Sequence, residues 1–112
     1  MTNLLPQVSL SILLALSLKP RHGYAIMQQV EHDTLGKVVL GPGALYGGIK
    51  QLREASYIEE MPFETNKQRR YYRLTKKGFD RLSIELAYFE NTVLIARERR
   101  VLNSHSSVSN YQ

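Results

Sequence analysis

Residues 57–82 read YIEEMPFETNKQRRYYRLTKKGFDRL. Two short stretches in this segment have strand character, Tyr57–Met61 and Arg70–Leu74. Pro62 to Arg69 between them is too long for a two-residue turn and is rich in polar and basic groups. The segment therefore reads as a β-hairpin with a mobile, positively charged tip. Thr75 can cap a helix that begins at Lys76, although Gly78 stands where a full capping box would carry Glu or Gln. Residues 67–81 hold seven of the 15 basic side chains and a single acid, Asp80. Their net +6 exceeds the +5 of the whole chain, so the rest of the protein is close to neutral. On charge alone, a solvated face is one reading of such a run and a nucleic-acid contact the other. Tyr71, Tyr72 and Leu74 inside it supply an ordered, sheet-compatible frame that a free basic tail would lack.

Downstream, Phe79, Leu82, Leu86, Phe89, Val93 and Ala96 recur at alternating spacings of three and four, a heptad seam. Ile84, Tyr88, Ile95 and Leu102 form a partial second stripe. A helix over 76–102 would be about 40 Å long at 1.5 Å per residue, more than a small domain covers. Two apolar stripes call for two partners, the home domain and a second copy of the chain; an intrachain bundle is the alternative. Residues 103–112, NSHSSVSNYQ, read as a flexible tail.

Upstream, Leu10 to Leu18 form a short helix that is apolar almost all round, which suits burial on more than one side. Lys19-Pro20 ends it, because the residue before proline avoids helical geometry. A second helix starts at His22 or Gly23, with Tyr24, Ile26 or Met27 and Val30 inward, and fades near Thr34-Leu35-Gly36. Val38-Val39-Leu40 reads as a very short strand or an extended turn. Gly41-Pro42-Gly43 then opens a third helix over 43–55, where Pro42 suits the first turn. Leu45, Ile49 and Leu52 make its apolar stripe, and Ala44, Gly47, Gly48, Lys50, Gln51 and Glu54 its outer face. Adjacent glycines cost a helix roughly 1 kcal/mol each against alanine. Either a close-approaching partner surface or a tight contact within the same core would justify them.

Several function classes are excluded. There is no cysteine, hence no disulfide and no thiolate metal site. No apolar run is long enough to span a bilayer. The opening MTNLLPQVSLSILLALSLKP lacks the basic start and small-residue cleavage pattern of a signal peptide, so a cytoplasmic location is expected. The three histidines have no acid at ligand spacing, the Gly41-Pro42-Gly43 turn lacks the Lys-Ser/Thr ending of a phosphate loop, and Glu59 and Glu60 point to opposite faces of a strand. No enzymatic activity, metal or cofactor is expected.

The element order predicts a mainly α fold with a small β-hairpin: a winged helix-turn-helix plus a long C-terminal dimerisation helix. The expected organisation is a DNA-binding domain over 1–75 including the N-terminal dimer-contact helix, a dimerisation helix over 76–102 and the tail. In this architecture the third helix enters the major groove and the wing follows the backbone or minor groove. Tyr46, Lys50 and Gln51 lie on the candidate reading face, where Gln can pair with adenine and Lys with guanine. The same side chains could equally be solvated surface.

His22-Gly23-Tyr24, Gly41-Pro42-Gly43-Ala44-Leu45-Tyr46-Gly47 and Arg70-Tyr71-Tyr72-Arg73-Leu74-Thr75-Lys76-Lys77-Gly78 resemble the signature blocks of the PadR family of bacterial transcriptional regulators, over roughly residues 8–95. The single short C-terminal helix is similar to the smaller subfamily. The resemblance implies a dimeric winged-helix regulator, usually a repressor, joined through the first and last helices. It makes Tyr24 and Tyr46 contributors to the DNA face. Gly43, Ala44, Gly47 and Lys50 fall on the groove-facing part of the recognition helix, with Gln51 beside them, and Lys67, Arg69 and Arg70 on or beside the wing. Leu10, Leu13 and Leu14 would join Leu82, Leu86, Phe89, Val93 and Ala96 in the dimer contact. Three departures stand out: Ala44 where Thr or Ser is common, Gly48 where Ala is usual, and Ser56 where Gly usually closes the recognition helix. A multidrug-binding relative holds flat compounds with tryptophan, which this chain lacks; Tyr88 and Phe89 are the candidate lining for a small aromatic or hydrophobic effector.

The expectation is thus a homodimeric repressor on double-stranded, pseudo-palindromic operator DNA, with no membrane partner. The alternative is a winged-helix protein–protein adaptor that dimerises without reading DNA.

Overall fold

A computed structural model describes residues 3–62 and 69–103. The elements run α1 (Gln7–Leu16), β1 (Arg21–His22), α2 (Gly23–Asp33), α3 (Pro42–Glu54), β2 (Ile58–Glu60), β3 (Tyr71–Leu74) and α4 (Lys76–Glu98). The mainly α, winged-helix class expected from the sequence is the one observed. Two compact units make up the chain, residues 1–82 and 83–112, so the start of α4 belongs to the winged-helix unit. Residues 63–68, where the sequence suggests the hairpin tip and which include Lys67, and residues 104–112, expected as a tail, lie outside the described residues.

In the first unit the helices share one apolar core. Ile12, Leu13, Ile26, Val30 and Leu45 are fully buried, and Ile49, Leu52, Ile58, Tyr72 and Leu82 close around them. Each such side chain contributes roughly 1.5–3 kcal/mol on leaving water. Leu13 and Leu82, expected in the dimer contact, are buried in the core of the chain itself. Leu10 and Leu14 keep part of their surface.

The sheet differs from expectation in one strand. Its order is β1-β3-β2, both pairings antiparallel, with Arg21 opposite Tyr72 and Glu60 opposite Tyr72 on the other side. The third strand is therefore Arg21–His22, directly after Pro20, and Val38–Leu40 forms no strand. Both edges of β3 are occupied, and the Val38 N–H donates instead to the Thr34 hydroxyl at 3.0 Å. Arg21 also donates from Nε to the Ala15 carbonyl at 2.8 Å, satisfying a carbonyl in the last turn of α1.

Two glycines adjoin on α3 but differ in surroundings. Gly48 is buried, which corrects its placement on the outer face. A Cβ there would lie 2.8 Å from Ile12 Cδ1, so α3 and α1 meet at this point. Gly47 is exposed and a Cβ there would meet nothing within 4 Å. At the start of α4, Gly78 is a close-approach site of a stricter kind: its Cβ would lie 2.0 Å from the Tyr57 carbonyl oxygen. The same carbonyl accepts the Thr75 N–H at 3.1 Å. Thr75 Oγ1 accepts from the Gly78 N–H at 3.0 Å and donates to the Ser56 carbonyl at 2.7 Å. One threonine thus caps α4 and ties it to the turn before β2.

That turn explains the departure at Ser56. Ser56 N–H donates to the Arg53 carbonyl and Tyr57 N–H to the Leu52 carbonyl, the double closure of a Schellman motif. It puts Ser56 at φ 65°, the left-handed region that favours glycine. α2 ends the same way with Leu35 at φ 55°, and α4 with Arg100 at φ 63°. The α4 closure, with the Val101 N–H on the Ala96 carbonyl at 2.8 Å, stops the helix at Glu98, short of the 102 expected. In the second unit Ile84, Leu86, Tyr88, Phe89, Val93 and Leu94 are exposed along the helix, and Arg97 Nε donates to the Asn103 carbonyl at 3.0 Å.

Candidate nucleic-acid interface

The outer strip of α3 presents Gly43, Ala44, Tyr46, Gly47, Lys50 and Gln51 to solvent. Leu45, Gly48, Ile49 and Leu52 turn inward, so burial of one face fixes the orientation of the other. Gly41 in extended geometry and Pro42 in the first turn start the helix without a side-chain cap.

Tyr46 leans from α3 over the start of α2. A Cβ on Gly23 would come 2.5 Å from Tyr46 Oη and 3.3 Å from Leu45 Cδ2, so a side chain there would push the Tyr46 phenol aside. The contact couples His22-Gly23-Tyr24 to the α3 motif. Beside it lies a cleft of about 400 Å³ lined by His22, Gly23, Tyr24, Tyr46, Arg69, Arg70 and Tyr72. Tyr24 and Tyr46 are more than half exposed and Tyr72 is buried beneath. No carboxylate is among the described lining residues. The structure thus brings Tyr24, Tyr46, Arg69 and Arg70 into one place, while Gly43, Ala44, Gly47, Lys50 and Gln51 continue along the α3 strip outside the cleft lining.

The basic run divides by side-chain partner. Arg73 pairs with Glu59 at 2.7 Å, Lys76 with Asp80 at 3.1 Å, and Lys77 sits 5.5 Å from the centre of the Tyr57 ring. Arg69 and Arg70 instead line the cleft. Glu60 stands 3.9 Å from Arg70 and 3.6 Å from Arg53 of α3, linking the wing to the helix. Burial, then the charge of Glu60, pushes the Tyr72 phenol above its usual range, so it stays protonated. Among the described residues no group of three metal-capable side chains occurs, and no helix is long and apolar enough to cross a membrane.

The sequence marks His22 as a helix start and a motif residue, not as a member of the DNA face. Its ring does more: Nδ1 accepts the Ala25 N–H at 3.3 Å, capping α2, and Nε2 stands 3.2 Å from Arg69 Nη1. The Tyr71 ring meets it edge-on at 5.3 Å. Burial and then Arg69 hold its pKa below the ordinary value of 6.5. Arg69 is 47 positions away, and only the β1–β3 register brings it close.

Comparison with known proteins gives one concordant result. The model of the Transcriptional regulator PadR-like family matches residues 12–84, more than half of the chain. A transcriptional regulator from Clostridium thermocellum is similar at 26% identity and TM-score 0.69, over 81% of this chain and 90% of that one. A PadR family transcription regulator from Clostridium difficile shares the fold at 24% identity and TM-score 0.71, over 83% and 97%. The RosR protein of H. salinarum, in its S1 complex, is similar at 26% identity and TM-score 0.68, over 87% and 85%. No curated protein sequence matches the chain. The chain belongs to the PadR-like family, and is a winged-helix regulator of transcription rather than an enzyme.

Proposed function

We propose that the protein is a homodimeric repressor that binds a pseudo-palindromic operator in a sequence-specific manner. The observation that carries this reading is the exposed α3 strip together with the arginine-lined cleft, two halves of one winged-helix unit joined at Tyr46. Lys50 and Gln51 would read base edges, and Ala44 and Gly47 would let the helix backbone sit close in the groove, with Gly43 at its entrance. Tyr24, Tyr46, Arg69 and Arg70 would hold phosphates, with Lys67 extending that contact along the wing.

Dimerisation would cover Leu86, Phe89 and Val93, exposed apolar side chains that favour a partner over water. Ala96 on α4 and Leu10 and Leu14 on α1 would complete the contact. Two-fold symmetry then sets the recognition helices in successive major grooves about 34 Å apart. Repression would follow from occlusion of the promoter. A small aromatic or hydrophobic effector would act at Tyr88 and Phe89, whose rings meet edge to face at 5.3 Å.

Selection of bound fragments from the source organism's DNA, with light scattering of the free protein, tests this reading. Recovery of a shared inverted repeat and a dimer at micromolar concentration are expected. A dimer that enriches no sequence would favour the adaptor reading instead, and a monomer would contradict the dimer.

A further inference from the structure

His22 is the cleft residue whose hydrogen bonds do not close. Its Nδ1 faces the Ala25 N–H and its Nε2 faces Arg69 Nη1, at 3.3 and 3.2 Å. Both neighbours can only donate, and a neutral imidazole has one acceptor nitrogen and one N–H. With Nδ1 engaged as the α2 cap, Nε2 carries the proton, and Nε2–H and the guanidinium then present two donors to each other. An anionic oxygen beside them would accept from both. The surroundings suit an anion: no carboxylate among the described lining residues, two exposed phenols, Arg69 with no acid paired to it among the described residues, Arg70 on the rim with Glu60 3.9 Å away, and the positive end of α2.

We infer that this cleft holds a backbone phosphate of duplex DNA, with His22 donating from Nε2 beside Arg69 while its Nδ1 keeps the α2 cap. The inference rests on the DNA-binding reading above and deepens it. His22 becomes a phosphate ligand in its neutral Nε2–H form, a role separate from reading sequence, so its loss weakens all duplexes alike.

Two substitutions separate this role from a structural one. His22→Asn retains a good N-cap but cannot reach the Nε2 position. His22→Gln is a poor cap but places an amide N–H near Nε2. The expected result is crossed: His22→Asn melts like the native protein yet binds duplex DNA about tenfold more weakly, while His22→Gln is less stable yet keeps most of the affinity. Affinity that simply follows stability would overturn the inference. Nitrogen NMR of the imidazole gives a second readout, expected to show the Nε2–H form with a shift at Nε2 on adding duplex. A His22 signal indifferent to duplex that demonstrably binds would overturn the inference and leave DNA binding standing. Response to inorganic phosphate alone, with none to duplex, would also overturn it, marking a free-anion site. Absence of any duplex binding would remove the DNA reading and this inference together.

Discussion

Replacing Gly47 with alanine separates what helps the fold from what helps its function. Gly47 is in the interior of α3, in ordinary helical geometry, and exposed. Outside its own stretch of helix, a methyl group there would meet no atom of the described residues within 4 Å. No clash therefore offsets the gain in helix propensity, and Gly47→Ala should stabilise the winged-helix unit by about 1 kcal/mol. For a unit of this size that raises the melting temperature by about 4–8 °C. The position nevertheless sits three residues after Ala44 and three before Lys50, in the middle of the proposed reading strip. A methyl group at a close-packed groove contact should weaken operator binding about tenfold, or about 1.4 kcal/mol. Thermal melting and fluorescence anisotropy on the same preparation give both numbers. Higher stability with unchanged affinity would refute the placement of Gly47 against DNA. Unchanged or lower stability would refute the claim that its surroundings are empty.

Other perturbations probe individual contacts. Ser56→Gly relieves a left-handed φ of 65° and should add about 0.5–1 kcal/mol of stability, after the extra freedom of glycine in the unfolded chain is deducted; denaturant melts that show a loss would contradict this. Gly78→Ala drives a Cβ into the Tyr57 carbonyl and strains the Thr75–Tyr57 hydrogen bond, so a loss of about 2 kcal/mol or more is expected in the same assay. Glu60→Gln removes the carboxylate beside Arg53 and Arg70, and DNA affinity should rise several-fold with a steeper salt dependence, measured by anisotropy at several salt concentrations. His22 has a folded pKa below its unfolded value, so its neutral form favours folding; its contribution is complete above about pH 6.5 and is lost as pH falls through the folded value. Melts across this range should show that loss in the native protein and its absence in His22→Asn.

The helical pattern was legible because burial repeats with the helix period: Leu45, Ile49 and Leu52 face inward as their spacing demands. Thr75 also capped its helix as its position before Lys76-Lys77-Gly78 suggested. Less local features were hidden. Arg21–His22 is too short for a strand to be read from pattern, and it pairs only because β3 offers a free edge about 50 residues later. Gly47 and Gly48 look alike in sequence, yet one rests on Ile12 and the other faces solvent. Leu13 and Leu14 are equally apolar; a rotation of about 100° along α1 puts one in the core and leaves the other half-exposed. Ser56 departs from the family pattern, and its left-handed φ of 65° is why glycine would suit that position. For the site, the motifs marked His22, Tyr24, Tyr46 and Arg70 and the wing marked Arg69, but the cleft they share depends on tertiary closure.

The central claim is that this winged-helix unit grips DNA through Arg69 and Arg70 beside the α3 strip. It is tested most directly by the salt dependence of duplex affinity, native protein against the Arg69→Gln, Arg70→Gln double variant. If both arginines of each subunit release counterions, a dimer should lose about three to four units of slope in log affinity against log salt, with weaker binding to every sequence. An unchanged slope and unchanged affinity in the double variant would contradict the account.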